Sequence, residues 1–264
     1  MPSINLAELR LRTQELAGRL ADAPAFRAGV RALMETHAHR LLRRGPSMAQ
    51  RGALQAWDVP GLLMRELEST LLPAAAADPA AALAVADLLW VDGRLEERLL
   101  AARLASASTD TDALRERVAR WTDGLTDPIL QREIADETCR PLRRANTTHF
   151  RADSRRWIES DLAATRRFGW MALRGWLTDG GAASTLSIFD LLPRALRETD
   201  PETQRIAAEI LSNLAGISPA ETQKWLEDLP QDLLQHGRVF LQTALPALPE
   251  EFADWIRNQY LRPE

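Results

Sequence analysis

Apolar residues recur at spacings of three, four and seven along almost the whole chain, and no run alternates apolar with polar positions as a half-buried strand would. The pattern predicts helices throughout. In residues 204–215, Ile206, Ile210, Leu211 and Leu214 share one face, while Arg205, Glu209 and Asn213 lie away from it. Helix starts are marked by a capping residue followed by proline at Asp78-Pro79, Asp127-Pro128, Asp200-Pro201 and Ser218-Pro219. In such a pair the cap accepts an orphan amide proton, and proline sits in the first turn, where its missing N–H costs nothing.

Breaks near 44–46, 92–93, 108–112, 179–182 and 229–230 leave helices that arrive in pairs: 78–91 with 93–107, 111–124 with 127–144, 153–160 with 162–177, 184–198 with 201–215, and 219–228 with 231–243. A period of about 35 to 45 residues is that of HEAT-like repeats, whose helix pairs bury their apolar faces only by stacking on one another. The expected fold is all-α, with HEAT-like helical repeats stacked as a curved α-solenoid over 56–264. Residues 1–55 form an N-terminal helical extension with two helices, or the chain is one continuous domain, 1–264. A compact bundle of this size would show fewer and longer helices.

Composition narrows the chemistry. A single cysteine among 264 residues, Cys139, excludes an internal disulfide and a multi-cysteine metal site, and is expected to be a small packing residue. His37 and His39, two apart, point away from each other on a helix, so no metal is expected there. No phosphate-binding loop is present, because Gly180-Gly181 lacks a preceding strand and a P-loop lysine, and no cofactor is expected. The longest apolar stretch, 80–90, is broken by Asp87 and is shorter than the roughly 20 residues of a membrane span. The start Met1–Glu8 lacks the pattern of an export signal, so a cytoplasmic protein with no membrane association is expected.

The net charge of −4 conceals a segregation. Residues 1–51 carry nine Arg against four acids and residues 140–174 nine against three, which makes these segments +5 and +6 and the remainder −15. A basic surface on an acidic protein suits a polyanion, because phosphate contacts supply most non-specific nucleic-acid affinity. Arginines paired with acids along solvated helix faces would produce the same composition.

Particular residues then resemble a family. Trp157-Ile158-Glu159-Ser160-Asp161 followed by Arg166-Arg167 resembles the W-I-x-S-D-N-x-W-x-x-R stretch of the bacterial alkylpurine DNA glycosylases built from HEAT-like repeats, in the DNA alkylation repair superfamily. Leu89-Trp90 with Glu96, Glu97 and the run 99–104, and 204–215 with Ser218-Pro219 and Trp225-Leu226, resemble two further segments in the same order, so the similarity spans roughly residues 78–228.

The resemblance implies removal of N3- or N7-alkylated purines from duplex DNA held on a basic concave face. An aspartate there stabilises positive charge developing on the sugar, and two tryptophans and an arginine line the lesion. Arg167 matches the family's arginine. The second family tryptophan falls at Glu209, the aspartate near Gln131 or Arg132, and the tryptophan following the S-D pair at Ala164. The scaffold and one arginine are thus expected to be kept, and the catalytic carboxylate and lesion-facing aromatics lost, with Asp127, Glu133 and Asp136 as nearby carboxylates. Arg143, Arg144, Arg155, Arg156, Arg166 and Arg167 are the candidate phosphate contacts, positioning DNA without reading its sequence. Trp90, Trp157 and Trp225 are expected to pack between repeats. Trp170 and Trp176, on the helix of Arg166 and Arg167, are candidates to approach a bound strand. Duplex DNA is the expected partner, and a protein-interaction scaffold is the alternative.

Overall fold

The computed structural model describes residues 5–38, 54–179, 186–230, 232–233 and 237–261, and every regular element among them is helical. His39, the break at 44–46 and Gly180-Gly181 lie outside the described residues. The chain divides into two compact units, Met1–Ala145 and Asn146–Glu264.

The first unit contains α1 (Leu6–Ala17), α2 (Ala23–His37), α3 (Gly61–Ala77), α4 (Pro79–Val91), α5 (Leu95–Ala105) and α6 (Thr111–Thr122). It ends with α7 (Pro128–Glu133), which continues as a π-helical turn (Ile134–Thr138), and α8 (Arg140–Ala145). Helices stack in sequence: α1 packs on α3, α2 on α4, and α5 against both α3 and α4. Leu63, Leu67, Leu71, Leu89 and Leu100 are fully buried between them. The two N-terminal helices are tied to this stack by polar contacts: Arg10 donates to Glu66 at 3.2 Å, and Arg31 Nε to Glu97 at 2.6 Å. Glu97, wholly buried, also accepts from the Arg94 amide at 3.0 Å and from the Trp57 indole at 3.3 Å, so one carboxylate joins α2, the segment before α3, and the start of α5.

The second unit contains α9 (Thr147–Ile158), α10 (Ala163–Thr178), the short helices α11 (Leu186–Phe189) and α12 (Leu192–Leu196), and α13 (Pro201–Ile217). It continues with α14 (Pro219–Glu227), α15 (Arg238–Ala244), a 3₁₀ turn (Leu245–Ala247) and α16 (Glu250–Tyr260). Helix α10 lies between α9 and α13. Its approach to α9 is close: a Cβ on Gly169 would sit 2.7 Å from the Ile158 amide nitrogen, so only glycine fits there without displacing backbone.

The predicted starts at Asp78, Asp127 and Asp200 carry side-chain caps, the aspartates accepting from Ala81, from Ile129 and Leu130, and from Thr203. At Ser218 the hydroxyl makes no capping bond, and Pro219 marks the start by itself. Among the described residues four predicted helix spans differ from expectation, the one at 231–243 being broken by a turn at Gly237 before α15. The helix predicted at 153–160 begins at Thr147, because Asn146 caps it through the His149 amide. The single helix predicted over 127–144 is divided: Cys139 N bonds Ile134 O across five residues, and the wide turn falls just before Pro141, which has no amide proton to continue an α-helical ladder. The helix predicted at 184–198 is two short helices, the second carrying Pro193 in its first turn.

Candidate functional site

The arginines of 140–174 occupy three helices, and their surroundings differ. On α8, Arg144 is exposed. Arg143 is only 4% exposed and turns its guanidinium onto the carbonyls of the π-turn, bonding Ala135 O and, at 2.8 Å, Asp136 O. It thereby satisfies backbone acceptors in a turn that departs from the α-helical ladder.

On α9, Arg155 and Arg156 are exposed and pair with acids in or next to their own helix. Arg155 donates to Glu159 at 3.1 Å and Arg156 to Asp153 at 3.0 Å, with 66% of the Arg156 side chain open to solvent. The Arg155–Glu159 pair is of the exposed kind that contributes about 0.3–0.5 kcal/mol and weakens with salt, whereas Asp153 is buried beneath Arg156. Arg151 on the same helix lies over the Trp176 ring, 6.0 Å from its centre.

On α10 the acceptors come from elsewhere in the unit. Arg166 meets Glu198 with two nitrogens, at 2.5 and 3.2 Å, and its third nitrogen donates to Asp161 O at 2.8 Å and Ser160 O at 3.2 Å. Glu198 is buried, and its bond to Arg166 holds that guanidinium's pKa further above its ordinary value. Arg167 faces Asp200 at 3.7 Å. Arg174 donates to Glu209 at 3.1 Å, and Glu209 also accepts from Arg205 of α13, which is bonded to Glu202 as well. The position that the resemblance assigned to a lesion-facing tryptophan thus holds a carboxylate between two guanidinium groups.

The same geometry explains the W-I-E-S-D stretch as a folding element. Trp157 packs edge-on against Phe168, with ring centres 4.8 Å apart, and Ile158 is fully buried against Gly169. The carbonyls of Ser160 and Asp161 are the ones Arg166 holds. Trp170 and Trp176, candidates to approach a strand, are both buried in the unit's interior, as the apolar side of α10 requires. Trp90 stacks on Trp121 at 4.5 Å, and Trp225 lies 5.9 Å from Phe189.

The carboxylates lie in the first unit. Gln131 is fully buried and donates to Leu125 O at 2.6 Å, holding the turn before α7. Asp127 is buried as the α7 cap. Glu133 is in close contact with Arg103, and burial pushes its carboxyl up to about 7 against the pull of that guanidinium. Among the described residues, no group of three His, Cys, Asp or Glu side chains is arranged to hold a metal ion, and no helix is long and apolar enough to cross a membrane.

A family model described as DNA alkylation repair enzyme matches residues 57–247. The chain belongs to the DNA alkylation repair enzyme family. Comparison with curated proteins and with solved structures returned no match. All six candidate arginines fall inside the region matched to the DNA alkylation repair family, whereas α1, α2 and α16 lie outside it. The residues that sequence reasoning missed are the acceptors, Glu198 above all. Glu198 lies 32 residues from Arg166, and no local spacing signals the pair.

Proposed function

We propose that this member of the DNA alkylation repair family binds duplex nucleic acid through phosphate contacts, on HEAT-like helix pairs stacked as a solenoid. Arg155 and Arg156 of α9 are the direct contacts in the second unit and Arg144 in the first. Arg167 joins them by exchanging Asp200 for a phosphate, and Arg143 and Arg166 act beneath the surface by fixing the π-turn and the α9–α10 turn. The observation that carries this reading is the pair of solvent-facing arginines on α9 within the matched region, of which Arg155 is held by an exposed local partner that a phosphate replaces at little cost.

Glycosylase chemistry on N3- or N7-alkylpurines is weak or lost in this reading. Gln131 stands near the position where the resemblance requires an ionised aspartate, and Glu209 stands where it requires a stacking ring. A second reading, a protein-interaction scaffold, draws support from the pairing of Arg166, Arg167 and Arg174 with Glu198, Asp200 and Glu209, which neutralises much of the α10 charge.

Single-turnover release of N7-methylguanine or N3-methyladenine, with duplex binding at two salt concentrations and the Arg167→Ala variant alongside, tests these readings. Salt-sensitive binding without release supports the binding function. Release abolished by the substitution establishes an active glycosylase, and neither binding nor release leaves the scaffold.

A further inference from the structure

Four carboxylates crowd two guanidinium groups where α7 passes into the π-turn. Arg103 of α5 is in close contact with Glu133 Oε1 and donates from Nη2 to its Oε2 at 3.3 Å, while its Nη1 lies 3.2 Å from Glu137 and its Nε 3.9 Å from Glu68 of α3. Glu137 is shared with Arg140 of α8, which donates to both its oxygens at 2.8 and 2.9 Å. Asp136 adds a further negative charge that bears on Glu133. Four helices, α3, α5, α7 and α8, and the π-turn therefore meet at one cluster, in which Glu133, with 16% of its side chain exposed, is more enclosed than Glu68 or Glu137. Carboxylates crowded onto one guanidinium favour a proton kept on an enclosed member such as Glu133.

We propose that this cluster is a proton-operated latch. A proton held on Glu133 keeps α3, α5 and the π-turn together, and its release drives the carboxylates apart and loosens the turn. Two further contacts tether the turn and limit how far it moves: Thr138 Oγ1 donates to Ala102 O at 3.0 Å, and Arg143 keeps the carbonyls of Ala135 and Asp136. The inference is independent of nucleic-acid binding.

Burial, and then the neighbouring acids, raise the Glu133 carboxyl from its ordinary 4.5 to about 7. Between those values the folded chain holds a proton that the unfolded chain has released. The stabilisation is complete below 4.5 and is lost as pH rises through 7, with the unfolding equilibrium constant rising by up to about tenfold per pH unit in that window.

The test uses the full chain and its Glu133→Gln variant. The side-chain carboxyl ¹³C resonance of Glu133, the thermal midpoint, and amide exchange of residues 134–139 corrected for intrinsic rate are followed from pH 5.5 to 8.5. The wild-type carboxyl is expected to titrate near 7, with the midpoint falling and exchange accelerating over the same range. The variant, carrying a neutral amide, shows neither change. Should that variant fail to fold, Glu68→Gln removes one repelling charge and is expected to lower the Glu133 titration. A wild-type carboxyl already ionised at pH 5.5, or parallel losses in wild type and Glu133→Gln, overturns the latch.

Discussion

Helices α9 and α10 each carry three arginines, and two of each were expected to contact phosphate. In the structure, Arg155 and Arg156 of α9 pair with acids three or four residues away in sequence, the exposed Glu159 and the buried Asp153, while all three arginines of α10 reach acids contributed by the region of α12 and α13. The first arrangement leaves both guanidinium groups open to solvent. The second is a ladder that joins elements, with the buried Glu198 at one end. Arginine content therefore reports a basic segment, but where each acceptor lies decides whether a guanidinium is available to a polyanion or committed to the fold.

The largest effect should come from breaking the ladder at its buried end. Glu198→Ala removes a carboxylate whose side chain is 7% exposed and leaves Arg166 enclosed without its principal partner. Urea unfolding is expected to show a loss of about 3 kcal/mol. A change below about 0.5 kcal/mol, the range of an ordinary surface substitution, would show that the two helices do not differ in the way described.

Next comes the contact that holds the two helices together. Gly169→Ala places a methyl 2.7 Å from the Ile158 amide nitrogen and 2.9 Å from the Trp157 Cβ, so backbone must move. An expected cost of about 2 kcal/mol can be read from the thermal midpoint, accompanied by a change in the near-ultraviolet signal of the packed Trp157.

The smallest change in stability is expected on the exposed face. The Arg155→Ala/Arg156→Ala double variant should unfold within about 0.5 kcal/mol of wild type for each site, yet reduce the dependence of log K for a DNA duplex on log salt by about 2. A duplex affinity and salt slope unchanged in that variant would remove α9 from the proposed interface. The contrast with Glu198→Ala, large in stability and indirect in binding, then separates contact from support.

Much of the helical frame was legible before the structure. The aspartate caps before Pro79, Pro128 and Pro201 each form as the sequence implies, because capping is satisfied within three residues and needs no distant partner. The packing role expected for Trp157 was legible for a related reason: apolar periodicity assigns a face before it assigns a neighbour. Helix integrity was less legible. Pro141 signalled an interruption that the uninterrupted apolar period of 127–144 concealed, and Asn146 began α9 earlier than its apolar residues suggested.

The candidate site was legible as a list of residues but not as a surface. Trp170 and Trp176 share a helix with Arg166 and Arg167, yet the tryptophan rings are buried in the interior and the arginine guanidinium groups meet acids. Glu209 was visible as an acid in place of a tryptophan, although its bonds to Arg174 and Arg205 required α10 and α13 to be brought side by side.

By itself, then, the sequence determined the helices, most of their starts, the concentration of arginine in 140–174 and the family's signature residues, all of which depend on neighbours within a turn or two. Tertiary structure alone decided that Arg143 caps a π-turn, that Arg166 is held by Glu198, that Arg155 and Arg156 stay in solvent, and that Glu133 shares Arg103 with Glu68 and Glu137. Each depends on groups far apart in the chain, and electrostatic and hydrogen-bond energies fall off within a few ångströms, a distance that only the packed helices fix.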